Sequence, residues 1–550
     1  MNVNTVGARP PIPGLANLLG GAILTFLFLI VAISEMGWAL RIPIHGWVLP
    51  TAFAGTCLVS AWGARLYFHR PLRMTLVVAT LLAVLVAASA WISLQFYDVS
   101  FDGQAYHQEG IYQLAHGWDP LVAHRFTPSA PFQNVLLNHY PKGSWTIEAS
   151  MYRLTGHIET GKFANLLLIF AAFSLALAAF AGSKRKPGAW PVAMAALAAA
   201  NPVALCQIFT FYVDGQMASL LVCLAALCFL SAVAGNAWVD LLWFEAAILI
   251  IQVKFTGLVY VAVLFAGYLA LLVWQKRPWR KPFSRVVLAL GLGTFVFGAN
   301  PYVFNTLENG HPFYPFYGRG EFPIFSLRTD TPPEFLEANR VANLAASIFS
   351  RSHVWPPEST LKFPWQVDRG EWRAFQEPDV RTGGFGPLYP AALILSLALL
   401  AIRWKRGDAA PWLATAAILL VIASVLPVHA CWWARYAPQV WLVPLVALAP
   451  LGGAGTKPIW HRLSWLVLLI LLANVGRIAL VNCRANLDAT RDTSADLADL
   501  RAHSPFKVAF GNFRSKRIRL QEAGIPFIEV EAKLKCDPQV EEDDNLCIER

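Results

Sequence analysis

Residues 74–96 read MTLVVATLLAVLVAASAWISLQF and are followed over 97–108 by YDVSFDGQAYHQ. The first stretch carries no charged side chain, and about 20 mostly apolar residues are enough for a helix to cross a lipid bilayer. The second stretch turns polar at once and contains two aspartates. The pattern predicts a membrane-spanning helix that is followed by an acidic segment at the membrane surface.

The composition of the whole chain extends this interpretation to a protein with many spans. Of its 550 residues, 56% are hydrophobic and only 14% are charged, with a mean hydropathy of +0.48. Soluble chains average about 45–50% apolar and about 25% charged residues. The sequence therefore predicts an all-α polytopic membrane protein. Its net charge of +10 is explained by basic cytoplasmic loops, so nucleic acid is not expected as a partner.

A search for further apolar runs predicts thirteen transmembrane helices. They comprise residues 15–35, 47–67, 74–96, 162–182, 189–209, 216–235, 238–253, 256–274, 285–304, 385–403, 410–428, 433–451 and 460–481. The first span is expected to be retained, because its apolar run is longer than that of a signal peptide and no clear cleavage site follows. The seventh and eighth spans are divided only at Lys254, and a single long helix there would invert the topology of everything downstream.

The distribution of basic residues favours two separate helices at Lys254. Basic clusters follow the second, fourth, eighth, tenth and twelfth spans and contain Arg65, Arg70, Arg73, Lys184, Arg185, Lys186, Lys276, Arg277, Arg280, Lys281, Arg285, Arg403, Lys405, Arg406, Lys457 and Arg462. The short loops on the opposite side hold only Arg41, Lys254 and Arg435. Division at Lys254 places every cluster on the cytoplasmic face, where Lys and Arg are in excess in membrane proteins. The N-terminus is then cytoplasmic and the C-terminus lies outside.

Three large polar segments then share the outer face of the membrane. They are residues 97–161 (the first outer loop), 305–384 (the second outer loop) and 482–550 (the tail), and residues 1–481 form the membrane domain. The tail is predicted to be a small α/β unit, with strands at 507–510 and 527–530 around a helix at 514–523. Because the polar material is on one side, the chemistry is expected outside the cytoplasm, where ATP and nucleotide sugars are absent.

The cysteines fall into two groups. Four lie in apolar spans, where we interpret them as packing residues: Cys57, Cys206, Cys223 and Cys228. In the tail, Cys536 and Cys547 are predicted to pair, because the outer side permits oxidation. Cys483 is then expected to be free or to pair with Cys431.

Asp98 and Asp102 are the leading candidates for chemistry, since they lie where the third span reaches the surface. Two residues four apart lie on the same side of the chain, so both carboxylates are expected to face one site. Acids at a membrane boundary are costly unless they are used or paired, and a low-dielectric setting raises a carboxyl pKa, which suits a general base. For Asp98 the alternative is a helix cap. Asp102, followed by Gly103, is the better catalytic candidate.

The remainder of the first outer loop supplies further polar candidates. An amphipathic helix lying on the membrane is predicted where Ile111, Leu114 and Ala115 share a face. His139 and Lys142 lie in a polar cluster just before the next span. These two residues either bind substrate or are ordinary solvated loop residues.

Several short motifs occur in a fixed order along the chain. The first outer loop opens with Tyr-Asp-x-x-x-Asp-Gly-x-x-Tyr-His at residues 97–107. The others are Asn201-Pro202, Val213-Asp214-Gly215-Gln216, Lys254-Phe255-Thr256-Gly257, Asn300-Pro301, Gly310-His311-Pro312 and Arg435-Tyr436 with Pro438. Together they resemble the GT-C superfamily of membrane glycosyltransferases, in particular the group of bacterial aminoarabinose transferases and protein O-mannosyltransferases. The resemblance covers most of residues 90–450, and the tail adds nothing to it.

The resemblance implies an inverting transfer of a sugar from a polyprenyl-phosphate carrier to an acceptor on the outer face. By its matching position, Asp102 would be the base, and Asp98 or Asp214 would orient the acceptor or help to hold a divalent cation such as Mg²⁺ or Mn²⁺, if one is used. Lys254 and Arg435 would stabilise charge on the departing phosphate. The residues implied in substrate binding also include Tyr106, His107, His139, Lys142 and Tyr436.

Other interpretations of the same residues stay open. Lys254 could be a snorkelling side chain and Arg435 an interface anchor. The second outer loop is expected to carry the acceptor or a gate for the lipid chain, and its further candidates are Arg340, Arg351, His353, Lys362, Trp355, Trp365 and Trp372. Some branches of the family have two adjacent acids in the first outer loop, whereas here the acids are four residues apart. That difference leaves the branch, the metal requirement and the sugar open.

The sequence thus predicts a bacterial inner-membrane glycosyltransferase with a periplasmic active site. Its expected partners are the polyprenyl-phosphate-sugar donor, a lipid-linked or envelope glycan acceptor, and membrane lipids. One alternative is an O-antigen polymerase or ligase, which depends on Arg and His in large outer loops. A second is a non-enzymatic lipid or glycan transporter, a class that often shows paired halves and acids at mid-membrane depth. A scaffold that has lost its activity is the third.

Overall fold

The computed structural model describes residues 11–123, 125–126, 131–182, 188–317, 330–405, 411–452, 457–530 and 547–549. The chain is mostly helical, at 72%, and a small three-stranded sheet lies near the C-terminus. Helical structure occurs in every segment for which a span was predicted. A helical membrane-type domain followed by a small α/β tail is therefore the observed architecture.

The regular elements follow one another in chain order. The α-helices are α1 (Pro11–Ala39), α2 (Val48–Tyr67), α3 (Pro71–Leu94), α4 (Gln108–Ala115), α5 (Pro131–His139), α6 (Gly143–Thr155), α7 (Phe163–Ala181), α8 (Ala189–Ala199), α9 (Pro202–Cys206), α10 (Asp214–Ala234), α11 (Ala237–Val253), α12 (Phe255–Trp274), α13 (Arg280–Gly291), α14 (Phe304–Asn309), α15 (Arg340–Ile348), α16 (Tyr389–Lys405), α17 (Pro411–Val425), α18 (Leu442–Leu448), α19 (Pro458–Ala502) and α20 (Lys516–Glu522). Short π-helices occupy Gly103–His107, Leu292–Val296 and Ala299–Val303. Short 3-10 helices occupy Ile158–Lys162, Pro333–Phe335, Arg369–Gln376, Ala434–Tyr436, Pro438–Trp441 and Ala449–Gly452.

Six helices in the described part of the chain are long and apolar enough to cross a membrane. They are α1, α3, α7 with the short turn before it, α10, α12 and α19. A bent pair, Arg280–Val296 and Ala299–Asn309, adds a seventh if its two arms form one span. The predicted count of thirteen is not confirmed. Several of the other segments are shorter than the roughly 20 residues that a span needs, such as α8 with 11 residues and α17 with 15.

Helix α1 is surrounded by other apolar helices and organises the N-terminal half of the bundle. It packs against α2, α3, α7 and α11. Glycines allow α1 and α2 to approach Trp238 of α11 closely. A Cβ on Gly21 of α1 would lie 2.5 Å from the buried ring of Trp238, and a Cβ on Gly63 of α2 would lie 2.6 Å from it. Small residues at such contacts let helices associate through close packing, which matters in lipid because burying apolar surface there gains little.

The chain breaks at Lys254, as the distribution of basic residues predicted. Helix α11 ends at Val253 and α12 begins at Phe255, and Lys254 itself is extended, with φ −161° and ψ 152°. The turn requires glycine at position 257, where a Cβ would lie 2.1 Å from the Ile250 carbonyl oxygen. Two helices therefore meet here, and Lys254 is held at their junction.

The segment predicted as a single span at 285–304 is bent instead. Its two helical arms meet at an angle of 77° between Val296 and Ala299. Pro301 cannot donate a backbone hydrogen bond, and π-helical turns lie on both sides of the bend. The bend turns the chain so that Asn300 faces the first outer loop, where its amide nitrogen donates to the carbonyl of Pro120 at 2.9 Å.

The short helix α4 lies where an amphipathic helix was predicted, but it is not left on the membrane surface. Ile111 and Leu114 are fully buried. Helix α4 packs against α6, and Gly110 lies so close to Trp145 that a Cβ would come within 2.7 Å of the ring. The apolar face of α4 is therefore buried in protein, because α6 covers it.

The tail folds around a three-stranded sheet in the order β2-β1-β3, formed by β1 (Phe506–Ala509), β2 (Phe527–Glu529) and β3 (Cys547–Glu549). Strand β1 runs parallel to β2 and antiparallel to β3. Helix α20 connects β1 to β2. The two predicted strands and the helix between them are confirmed, and β3 is an addition that sequence reasoning did not find.

The tail does not begin at residue 482 as a separate element. Helix α19 is continuous for 45 residues, so the predicted domain boundary falls inside it and the sheet begins only after Ala502.

Cys547 is in a disulfide, whereas Cys431 and Cys483 are both free, so the alternative pairing of those two is not formed. Cys536, the partner predicted for Cys547, lies outside the described residues.

Candidate active site

The guanidinium of Arg435 is surrounded by three carboxylates from distant parts of the chain. Its Nη1 atom lies 3.2 Å from Oδ2 of Asp102 and 3.4 Å from Oδ2 of Asp379, and its Nε atom lies 4.0 Å from Oδ2 of Asp214. The acids belong to the first outer loop, the second outer loop and the start of α10. Four segments that are remote in sequence thus meet at one cation.

Aromatic rings hold Arg435 in this position. The residue lies in the short helical turn Ala434–Tyr436, and its guanidinium carbon is 4.4 Å from the ring centre of Trp433, 5.1 Å from that of Tyr436 and 5.3 Å from that of Tyr212. A planar cation stacks well on such faces, and a side chain surrounded by rings loses little freedom on binding a partner. The side chain is 12% exposed, so one part of it remains accessible.

Lys254 adds a second cation to the same site. Its ammonium lies 2.6 Å from Oδ1 of Asp214 and 4.1 Å from the ring centre of Tyr436. Asp214 is therefore shared, with one oxygen towards Lys254 and the other towards Arg435. We call Asp102, Asp214, Asp379, Lys254 and Arg435 the Arg435 cluster.

The backbone around Asp102 is shaped by close packing. The π-helix Gly103–His107 follows it directly and is buried. A Cβ on Gly103 would lie 2.0 Å from Oδ2 of Asp98 and 2.5 Å from the Ser100 hydroxyl. Only glycine allows this approach. Single π-helical turns often occur at functional sites, where they redirect a side chain.

Asp98 does not share the site with Asp102. Its Oδ1 accepts a hydrogen bond from the Ser100 backbone at 2.8 Å, and its Oδ2 accepts one from the Phe211 backbone at 2.9 Å. The side chain is completely buried, and this burial raises the pKa of its carboxyl, while Lys162 opposes the shift. The prediction that both acids face one site is wrong. Asp98 binds backbone donors instead, but neither Ser100 nor Phe211 lies in a helix, so the helix cap considered as the alternative is not observed either.

Tyr106 and His107 lie in an aromatic layer next to the cluster. His107 and Tyr106 have ring centres 4.2 Å apart, and Nδ1 of His107 accepts a hydrogen bond from Nε1 of Trp145 at 2.7 Å. Burial lowers the pKa of His107 well below its usual range, and the charges of Lys254 and Arg435 act in the same direction. The imidazole is therefore neutral at physiological pH.

His139 and Lys142 are engaged in a different set of contacts. The Lys142 ammonium donates to the carbonyls of Asn138 at 3.1 Å and Tyr140 at 2.6 Å and to the Asn300 side chain at 3.0 Å. Its three donors are thereby used, and the residue is almost fully buried. Nδ1 of His139 lies 2.6 Å from the Asn305 side-chain oxygen, and burial lowers its pKa to about 4. Both residues join the first outer loop to the bent helix pair.

The basic candidates of the second outer loop are also paired, either with acids of the same loop or with a backbone carbonyl. Arg351 lies 3.0 Å from Asp368, and His353 lies 3.7 Å from Glu358. Arg340 donates to the Leu426 carbonyl at 2.9 Å, and the buried Lys362 lies 2.5 Å from Glu371. Of the aromatic candidates in this loop, Trp355 is 60% and Trp365 is 75% exposed. Trp372 packs against the small apolar cluster around Phe375.

Asp379 is the member of the cluster that sequence reasoning missed. The second outer loop was searched for cations and aromatic rings, so an acid between a proline and a valine carried no signal. Burial raises its pKa to about 6, although Arg435 and Arg381 oppose the shift. Its Oδ1 and the Nε of Arg435 are buried and have no hydrogen-bond partner within the described structure. Unsatisfied buried polar atoms are costly, so these two indicate where a polar ligand group would bind.

The charges of the cluster do not balance. Three carboxyl groups face two cations, so the cluster has one surplus negative charge whenever all three carboxyl groups are ionised. In the part of the chain that the structure describes, no three His, Cys, Asp or Glu side chains are arranged so that they could hold a metal ion.

Comparison with known proteins does not identify a function for this chain. No protein-family model matches the chain, and a search of curated proteins also finds no match. Four of the residues singled out from the sequence, Asp102, Asp214, Lys254 and Arg435, are brought together by the fold. What such a site can do is decided by its acids, its cations and its accessible edge.

Proposed function

We propose that the protein is an inverting glycosyltransferase of the GT-C type that moves a sugar from a polyprenyl-phosphate carrier to a lipid-linked or envelope glycan. The observation that carries the proposal is the contact of 3.2 Å between Asp102 and Arg435, with Lys254 bound to the neighbouring Asp214. A carboxylate and two cations in one partly buried site are the groups that such a transfer requires. The sequence resemblance to the superfamily supports the same assignment.

The proposed reaction uses Asp102 as the general base. Its carboxylate takes the proton of the acceptor hydroxyl, and the hydroxyl oxygen attacks the anomeric carbon from the side opposite the phosphate. The bond between that carbon and the phosphate oxygen breaks, and the phosphate leaves with the electron pair. Arg435 and Lys254 stabilise the negative charge that develops on the leaving phosphate.

The surplus negative charge of the cluster has a consequence for donor binding. A phosphate approaches Arg435 more favourably when one of the surrounding carboxylates is neutral. Asp379, whose carboxyl pKa is raised by burial to about 6, can take up a proton as the pH falls below neutral. The Nε of Arg435, which has no hydrogen-bond partner in the described structure, would then bind a phosphate oxygen.

The proposed arrangement in the membrane follows the sequence interpretation. Thirteen passes place the N-terminus in the cytoplasm of a bacterial cell and the tail in the periplasm. Contacts that join the first outer loop, the second outer loop and the tail support a common side for these three segments. The polyprenyl chain would lie along the lipid-facing helices below the Arg435 cluster.

A thin-layer assay with radiolabelled undecaprenyl-phosphate sugars and an envelope lipid extract tests the proposal. Wild type should move label from the carrier to the extract, and Asp102→Asn should not. Asp488→Asn is the matched control, since Asp488 is 68% exposed on α19 and is paired only with Arg491 in the contacts described. Equal transfer by wild type and Asp102→Asn would contradict the assignment of the base.

The central position of Arg435 also fits the alternative in which the protein is a polymerase or ligase that relies on arginine. In that case Arg435→Met would abolish activity while Asp102→Asn would spare much of it. The transporter alternative predicts that purified protein in liposomes would move a labelled solute without changing it. The three outcomes are distinct.

A further inference from the structure

The tail contacts the first outer loop both before and after Asp102 in sequence. Before it in sequence, the Asp98 carbonyl accepts a hydrogen bond from Arg519. After it, the Gln104 carbonyl accepts one from the Ser515 hydroxyl, and Glu109 is bound by Arg517. The tail segment that makes these contacts includes α20 and the turn before it.

We call the set of contacts between the tail and the first outer loop the joint. Two buried ion pairs provide its strongest contacts. Nη1 and Nη2 of Arg517 lie 2.6 and 2.8 Å from the two oxygens of Glu109, with side-chain exposures of 7% and 0%. Arg519 approaches Glu159 to 3.0 Å, and Lys162 contacts the other oxygen of that carboxylate at 2.7 Å. A bidentate pair between guanidinium and carboxylate fixes direction as well as distance. The Arg517–Glu109 pair is bidentate and therefore orients the loop as well as attaching it, whereas Arg519 contacts a single oxygen of Glu159.

Smaller contacts extend the joint along the π-helix. The Gln133 side chain donates to the Ala105 carbonyl at 2.8 Å and also to the Asn512 carbonyl of the tail, so it connects the two. The Phe513 ring meets Phe101 edge-on, with ring centres 5.4 Å apart. Residues 101 and 105, which lie on either side of Asp102, are thus also fixed by contacts that involve the tail.

The tail and the first outer loop are not packed together without a gap. A cavity of about 380 Å³ remains between the tail sheet, α19 and the start of the first outer loop. It is lined by Val99, Leu497, Leu500, Val508 and Phe510, with Arg519 among its polar residues. Since apolar contact is interrupted here, the polar contacts carry much of the attachment.

We propose that the tail is a positioning element of the active site, in which Arg517 and Arg519 hold the first outer loop so that Asp102 meets Arg435. The inference rests on the proposed function, because it concerns the base of that reaction. Neither arginine touches the Arg435 cluster in the contacts described, so both act through the loop. A displacement of about 1 Å at a reacting group can lower the rate by about 100-fold.

Hydrogen exchange followed by mass spectrometry, on the full-length protein in nanodiscs, tests the joint without relying on activity. In the double variant Arg517→Gln/Arg519→Gln, exchange should rise over residues 99–109 while α7 and α10 remain protected. Transfer from radiolabelled undecaprenyl-phosphate sugar should then fall by about 100-fold in kcat, with the donor KM unchanged. Arg491→Gln on the exposed face of α19 is the matched control and should change neither quantity.

A charge exchange covers the case in which the double variant misfolds. Arg517→Glu alone should loosen the loop, and the addition of Glu109→Arg should restore both its protection and kcat. Unchanged exchange over 99–109 in the double variant would overturn the inference, and so would loosening of the loop with kcat unaltered. If wild type transfers no sugar at all, the proposed function fails, and the exchange data alone decide whether the tail holds the loop.

Discussion

Nη1 of Arg435 lies 3.2 Å from Oδ2 of Asp102, although 333 residues separate them in the chain. Asp102 lies within the polar stretch that follows α3, directly before the π-helix Gly103–His107, and Arg435 lies in the short turn Ala434–Tyr436 ahead of α18. The contact therefore joins the first outer loop to the last quarter of the bundle. It places an acid and a cation at an accessible edge, with side-chain exposures of 18% and 12%.

The first prediction separates the two aspartates of the first outer loop. Asp102→Asn should lower kcat by about 10²–10⁴-fold and leave thermal stability nearly unchanged, because the amide keeps the shape but not the basicity. Asp98→Asn should instead lower thermal stability, since one oxygen that accepts the Ser100 or Phe211 backbone hydrogen bond is replaced by a donor. A buried donor left without its acceptor costs about 1–3 kcal/mol.

Label transfer and thermal unfolding, measured on both purified variants, check this separation. Asp488→Asn serves as the exposed control for both quantities. The reverse pattern, a stable but inactive Asp98→Asn and a destabilised Asp102→Asn, would show that the roles have been exchanged.

The second prediction concerns the geometry of the cation at position 435. Arg435→Lys keeps the charge but loses the planar fork that reaches Asp102 and Asp379 together and stacks on Trp433. We expect kcat to fall by about 10²–10³-fold, which is typical when one stabilising group for the developing charge is lost. Arg491→Lys, at an exposed pair, is the control. Near wild-type turnover in Arg435→Lys would mean that charge alone is sufficient.

The third prediction follows from the carboxyl pKa of Asp379, which burial raises to about 6. An unfolded aspartate has a pKa of about 3.9, so between pH 4 and 6 the folded state binds more protons than the unfolded state. Stability therefore decreases as pH rises through this window and levels off above it. The effect is about 2–3 kcal/mol, at about 1.4 kcal/mol for each pH unit.

Asp379→Asn removes the titrating group and should remove this part of the pH dependence. Melting temperatures of wild type and Asp379→Asn are compared at pH 4.5 and pH 7, and the variant should gain relative to wild type at the higher pH. Asp488→Asn should show no such gain. A difference that stays constant between the two pH values would place the titration elsewhere.

The fourth prediction tests the close packing next to Asp102. In Gly103→Ala the new methyl group would lie 2.0 Å from Oδ2 of Asp98, so the π-helix must shift. Forced overpacking of this kind costs about 1–3 kcal/mol, and the shift should also lower kcat. Gly291→Ala is matched to it, since no atom lies within 4 Å of its added Cβ. Thermal unfolding and transfer assays on the two variants should differ; equal behaviour would mean that the loop adapts freely.

Much of the fold could be predicted from local sequence because the forces that form it are local. An apolar run favours a helix in lipid whatever surrounds it, and the regular pattern of the tail predicted β1, α20 and β2. The break at Lys254 was visible in the distribution of basic residues. The number of spans was harder, because the bend between Val296 and Ala299 and short helices such as α8 do not show in an apolar average.

The site was partly visible for a related reason. Charged residues on short turns between apolar segments are costly without a partner, and this cost makes Asp214, Lys254 and Arg435 recognisable in the sequence alone. Their partners could not be read in the same way. Asp379 is an ordinary loop acid in the sequence and becomes a member of the cluster only because the second outer loop folds against Arg435.

Hydropathy and periodicity are properties of neighbouring residues, so they were enough to predict an apolar helical bundle, an acidic segment at the end of α3 and a small α/β tail. The contact of Asp102 with Arg435, the backbone contacts of Asp98 and the pairing of Arg517 with Glu109, 408 residues away, arise from folding and could not be predicted in this way. Such contacts depend on which segments pack together, and the free energy of that packing is spread over the whole bundle.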